Sequence, residues 1–164
     1  MRGFTLIELL VAIAVLGVVA SALFAAINPV KRINQANDAR RKTDLAQIQR
    51  ALEQFYQDNN GKYPPNSGPS DYRILGFSGA VNWGSSWPPY INVLPKDPKA
   101  PAKTYIYISS DGQSYQLYAS LDQGGSDPQA CNSGGSCSGV LAGVTCGSAT
   151  DICNYGVSSP NVSP

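Results

Sequence analysis

The chain contains no histidine. That removes imidazole acid–base catalysis, histidine-containing triads and histidine-ligated metal centres. Charge is scarce as well: 14% of residues are Asp, Glu, Lys or Arg, against about a quarter in ordinary soluble domains. Twelve Lys and Arg against 11 Asp and Glu leave no basic surplus, so nucleic acid is not expected as the main partner. No Lys or Arg follows Lys103, while Asp111, Asp122, Asp127 and Asp151 do, so the last third is a small acidic region. A G-x-S-x-G elbow, a P-loop and a G-x-G-x-x-G fingerprint are also missing. An enzyme is therefore not expected, and neither a cofactor nor a bound metal is.

What the chain does have begins at once. From Phe4 to Ile27 every residue is apolar, small or hydroxylic except Glu8. As a helix those 24 residues reach roughly 36 Å, enough to cross a bilayer with some tilt. A carboxylate at membrane depth is costly and usually functional. A cleavable signal peptide, with Ala20-Ser21-Ala22 as its site, is the plainer reading. The apolar run is too long for it, and Glu8 would penalise ordinary insertion. A simple anchor leaves Glu8 unexplained, and Lys31-Arg32 on the far flank opposes its orientation.

Asn28-Pro29 predicts a break, because proline lacks a donor and disfavours helix at the residue before it. Helical pattern resumes over residues 30–60. Leu45, Ile48, Leu52, Phe55 and Tyr56 make one apolar face in steps of three and four. Upstream that face is thin, so the Lys31-Arg32 and Arg40-Arg41-Lys42 clusters are expected on exposed helix. They read as a solvated face, or as partners for acidic C-terminal loops of neighbouring subunits. Asn60-Gly61 stops the helix, and Pro64-Pro65 prevents its return.

Residues 61–103 are rich in Pro, Gly, Ser and Asn, which predicts loops, anchored by Trp83, Trp87, Tyr90, Ile91, Val93 and Leu94. Residues 104–164 open with a β-hairpin over TYIYISSDGQSYQLYASL. With Asp111-Gly112 as a two-residue turn, Ile108 faces Tyr115, Ile106 faces Leu117 and Thr104 faces Ala119. That set is the expected core face, packed on the 45–56 helix face. Tyr105, Tyr107 and Tyr118 are expected on a semi-exposed face, open to a ligand or to sheet packing. Cys131, Cys137, Cys146 and Cys153 lie in a Gly/Ser-rich tail. Their spacing lacks a zinc knuckle and suggests two disulfides formed in an oxidising compartment. Three pairings are open, and Cys131–Cys137 with Cys146–Cys153 closes the shortest loops.

The stretch Gly3-Phe4-Thr5-Leu6-Ile7-Glu8-Leu9-Leu10 resembles the class III signal of type IV prepilins and type II secretion pseudopilins. The resemblance implies that residues 1–3 are a leader removed by a prepilin peptidase between Gly3 and Phe4. The new amine on Phe4 would be methylated by the same enzyme, and Glu8 would be the assembly glutamate. Residues 4–29 would be a membrane anchor first and filament core later, with Gly17 and Pro29 as helix weak points. The implied fold is the α+β pilin fold, a long helix with an apolar and an amphipathic half packed on a small antiparallel sheet. The implied partners are further copies of the chain and the membrane assembly machinery. LEQFYQDNNGKYP and VLPKDP resemble segments of major pseudopilins. Major pseudopilins often have a calcium-binding loop near the C terminus, where this chain has cysteines and scattered aspartates instead. Many type IV pilins carry a disulfide loop there, so the first expectation is the major subunit of an extracellular type IV pilus. A major pseudopilin of a type II secretion system is the alternative, and a minor pilin for adhesion or DNA uptake a second. The precursor is expected in the cytoplasmic membrane, and the filament at the cell envelope or outside it.

Overall fold

The computed structural model describes residues 3–69 and 71–164. Met1 and Arg2, the greater part of the expected leader, lie outside the described residues. The chain divides into a unit running to Asn34 and a unit from Gln35 to Pro164.

In the first unit, helix α1 spans Leu6–Ile27. Its start is fixed by a capping box in which Thr5 and Glu8 satisfy each other's backbone N–H groups. It ends at Asn28, which takes a left-handed conformation with φ 45°. The next helix, α2, begins at Pro29 and spans Pro29–Asp58. Proline suits a first helical position, where its missing N–H would have no helical partner. The Asn28 side chain then accepts from Lys31 N at 3.2 Å, so Asn28 closes one helix and caps the next. The expected break at Asn28-Pro29 is thus a single left-handed residue. Gly17 lies inside α1, which continues through it.

In the second unit, α2 buries Leu45, Ile48, Ala51, Leu52 and Phe55, the predicted face. The buried stripe also continues upstream through Asp44, Arg41 and Asp38, where exposed helix was expected. The helix stops at Asn60 and Gly61, both left-handed, and Gly61 N donates to Tyr56 O at 3.0 Å. In the 61–103 segment, β1 (Leu75–Gly76) and β2 (Gly79–Ala80) form a small hairpin. Trp87 and Leu94 reach the core, and Trp83, Tyr90 and Ile91 pack beside it. Val93 is exposed instead of anchoring, because its neighbour Leu94 takes the inward position.

Strands β3 (Ile106–Ile108), β4 (Gln116–Ala119) and β5 (Tyr155–Ser158) form an antiparallel sheet in that order. The β3–β4 register differs from expectation by one residue. Ile106 pairs with Tyr118, Tyr107 with Leu117 and Ile108 with Gln116. The connection is therefore Asp111, Gly112 and Gln113, not Asp111-Gly112 alone. Asp111 Oδ1 accepts from Gln113 N and Ser114 N, and Gly112 sits at φ 72°. A one-residue slip turns a strand over. Leu117 and Ala119 of β4, and Tyr115 just before it, still face α2, as expected. Their companions are Tyr107 of β3 and Tyr105 just before it, rather than Ile106 and Ile108.

The slip costs no burial because both faces of the sheet are covered. Ile106, Ile108 and Tyr118 pack against Cys137, Cys146 and Cys153. The tyrosines gain from facing the helix. Tyr105 Oη donates to Asp44 Oδ2 at 2.7 Å, and Tyr107 Oη to Pro64 O at 2.6 Å. Tyr115 Oη donates to Glu53 Oε1 at 3.2 Å. These three buried hydroxyls thus keep partners, as an interior site favours, whereas Tyr118 Oη, on the other face, has none among the described residues. Tyr105, Tyr107 and Tyr118, expected on a semi-exposed face open to a ligand or to sheet packing, are wholly buried. Cys131 is bonded to Cys137 and Cys146 to Cys153, so the tail consists of two short stapled loops.

Leu52→Ala is predicted to cost about 2–5 kcal/mol in denaturant unfolding of the full chain, since Leu52 is fully buried. Leu141→Ala, at a half-exposed site, should stay within about 0.5 kcal/mol. Equal losses would mean that the helix–sheet core is not where the stability resides.

Candidate assembly site and the buried charge cluster

Glu8 lies in the first turn of α1. Its Oε2 accepts from Thr5 N at 3.0 Å and from Thr5 Oγ1 at 2.8 Å, while Glu8 N donates back to Thr5 Oγ1 at 3.3 Å. One carboxylate oxygen is thereby held locally. No hydrogen bond to Oε1 is formed among the described residues, so that oxygen remains open to a cation. Gly3 has open space around it, and Phe4 is 90% exposed. Along α1 the segment Leu6–Leu23 is long and apolar enough to cross a membrane, and none of that segment is buried. An apolar surface of this extent on one helix requires a lipid or protein cover. The first unit therefore presents three features together: an exposed Gly3-Phe4 junction, a carboxylate in the turn that follows, and an uncovered apolar helix.

The second unit holds a cluster that the sequence reading misplaced. Arg41 is fully buried, not part of a solvated face. Its Nε and Nη2 donate to the two oxygens of Asp97 at 2.7 and 3.0 Å, a two-point fork. Its Nη1 donates to Asp38 Oδ1 at 2.7 Å and to Asp122 Oδ2 at 2.8 Å. Asp38 also accepts from the backbone of Asp122 and Gln123, each at 2.8 Å. Lys42 reaches Asp127 at 2.6 Å. Asp122, Asp127 and Asp151 of the acidic tail, which one of the two readings of the basic clusters assigns to neighbouring subunits, are thus paired within their own chain. A signal was present in the sequence: Asp38 and Arg41 continue the 45-48-52-55 stripe at helical spacing.

Around Lys103 the acidic groups converge again. Its Nζ donates to Asp122 Oδ1 at 2.9 Å, Ser120 Oγ at 3.1 Å and Ser120 O at 3.2 Å. Asp151 Oδ1 lies 3.6 Å away. Lys99 Nζ adds a contact to Asp122 Oδ2 at 2.9 Å. A calcium ion does not fit this donor set. Calcium needs about six to eight oxygens at roughly 2.3–2.6 Å, and here the oxygens already surround an ammonium. Among the described residues no group of three or more Asp, Glu or Cys side chains is arranged to hold a metal.

These contacts set the acid response. Burial alone would raise the Asp122 carboxyl. The hydrogen bonds from Arg41, Lys99 and Lys103 outweigh burial and hold it well below the usual carboxylate range. Burial likewise opposes Asp127, which Lys42 lowers, whereas the Ser148 hydroxyl lowers Asp151. Asp44 moves the other way, raised by burial against the Tyr105 hydrogen bond.

An uncovered apolar helix with a carboxylate in its first turn, joined in sequence to a small α+β unit, defines a subunit of the pilin class. The comparisons are consistent with that and narrower. Residues 1–24 match the prokaryotic N-terminal methylation motif, and residues 28–136 match type II secretion system protein G. The chain belongs to the type II secretion system protein G family. It is 30% identical over 133 residues to type II secretion system core protein G of Pseudomonas aeruginosa, covering 78% of this chain and 90% of that protein. No solved structure matched the chain.

Arg41→Met is predicted to destabilise the full chain by about 3–5 kcal/mol, because it strands buried carboxylates. Arg41→Lys should fall between, since lysine cannot form the fork to Asp97. On pH the sign follows from the lowered carboxyls. They contribute stability above the unfolded aspartate value of about 3.9, and it is lost as pH falls through and below that value. Asp44 contributes oppositely, gaining on acidification. Thermal melts between about pH 5 and 2 should therefore show a shallower loss for Asp122→Asn than for the unsubstituted chain. Parallel curves would remove Asp122 from the acid response.

Proposed function

We propose that this chain is a pseudopilin, the structural subunit of a type II secretion filament at the cell envelope. The observation that carries the reading is the uncovered apolar surface of α1 with Glu8 at its start. Two covers suit such a surface at different times. Before assembly the lipid bilayer covers it, and after assembly the same helices of neighbouring subunits do. Head-to-tail contacts that do not close then give an open helical polymer. The chain acts by assembly and not by catalysis.

Cleavage after Gly3 leaves a new amine on Phe4. Glu8 is only partly spent on Thr5, so its second oxygen can take the Phe4 amine of an adjoining subunit. A buried amine and a buried carboxylate each need such a partner. The pair sets axial register and makes misaligned packing costly. The tail cysteines favour a pilus, but the match over residues 28–136 and the secretion-system relative favour the pseudopilus.

Gly3→Val is expected to block cleavage and leave unprocessed chain in the membrane. Mass spectrometry reads this directly, because the mature chain starts at a methylated Phe4. A mature chain starting near Leu23 instead would mean an ordinary signal peptide. Glu8→Val should be processed and inserted normally but fail to assemble. The substitution makes the stored membrane state more favourable, by roughly 2.5–3.5 kcal/mol for a central acidic residue and less near an end. It also leaves the amine unpaired. Filament yield and export of secreted proteins are the measurements. Normal filaments from Glu8→Val alone would falsify the register role. Deletion that abolishes surface pili but spares secretion would assign the chain to a pilus.

A further inference from the structure

We infer that the Lys103 ammonium is a built-in cation that fixes the C-terminal tail to the sheet, so that this subunit needs no calcium to hold its tail. An ammonium has three N–H donors, and Lys103 spends them on Ser120 O, Ser120 Oγ and Asp122 Oδ1. The Asp151 carboxylate completes the ring of acceptors at 3.6 Å. These groups come from different parts of the unit. Lys103 precedes β3, Ser120 and Asp122 follow β4, and Asp151 lies within the loop closed by Cys146 and Cys153. One side chain therefore ties two strand ends to a stapled loop.

The backbone repeats the tie at the same place. Lys103 bridges to Gly147, and Thr104 N donates to Cys146 O at 2.9 Å. The Lys103 stem is buried, which fixes where its head can reach. Charge also argues against an added ion. Asp122 already meets Arg41, Lys99 and Lys103, so a divalent cation would enter a site whose carboxylate is already answered by three cations. The difference from a metal is permanence. A calcium ion leaves when its free concentration falls, whereas a lysine on the chain cannot. The two disulfides have the same property, and together they make the tail independent of divalent ions.

The inference holds whether the filament serves secretion or a pilus, so its failure and the failure of that reading are separate results. The test uses the full chain in detergent, without reductant so that both disulfides persist. The unsubstituted protein should show the same Tm and the same proteolysis of residues 122–153 in chelator as in millimolar calcium. A Tm rise with calcium, or a loss with chelator, would overturn the inference. Lys103→Met should lower Tm by about 5–10 °C and speed tail cleavage roughly tenfold. Unchanged Tm and cleavage in Lys103→Met would show that the ammonium is not the tie. If Lys103→Met fails to accumulate, the calcium and chelator arms on the unsubstituted chain still decide the question.

Discussion

A guanidinium with no exposure to water organises the second unit. Isolated burial of a charge costs several kcal/mol even after relaxation, so Arg41 can sit where it does only if its partners are all in place. Those partners come from α2 itself, from the segment before β3 and from the segment after β4. Asp38 must accept from Arg41 and from the 122–123 backbone together. The cluster is consequently less a source of stability than a condition on geometry. A helix shifted by one turn, or a strand end displaced by a residue, leaves a charge stranded. Apolar packing alone would tolerate such a shift far better.

The sheet shows how such a condition interacts with packing. Ordinarily a one-residue register slip is forbidden because it exposes a strand's apolar side. Here the stapled tail covers the outer face, so Ile106 and Ile108 are buried in either register. Hydrophobicity cannot choose, and the polar groups do. Facing α2, Tyr105 finds Asp44 and Tyr107 finds the Pro64 carbonyl. The three-residue connection, with Asp111 holding the amides of Gln113 and Ser114, completes the choice.

This explains what could be read from the chain alone and what could not. The capped apolar helix, the break at Asn28-Pro29 and the 45-48-52-55 stripe follow from local chemistry, and local chemistry is written in adjacent residues. The hairpin's existence was legible from Asp111-Gly112 and its alternation, but its register was not. Alternation locates an inward face only when the other face meets water, and the cover over that face lies far along the chain. Strand β5 was invisible for a related reason, since Tyr155–Ser158 is too short and too mixed to show a period. Arg41 was misread because an arginine beside Arg40 and Lys42 resembles a surface cluster. Only its spacing from Asp38 and from the apolar stripe distinguishes it.

The two units face opposite demands with one economy of charge. Along α1 Glu8 is the one charged residue, as suits a helix whose apolar surface needs a lipid or protein cover. In the second unit the buried charges are spent internally: Arg41, Lys42 and Lys103 each answer aspartates of their own chain. On the proposed function, specific association rests on the apolar helix and on Glu8, whose second oxygen is open to a neighbour's amine. Self-contained charge in one unit and an open carboxylate oxygen in the other are both what the proposed function requires: a folded unit whose buried charges are already answered, and a helix whose carboxylate is not.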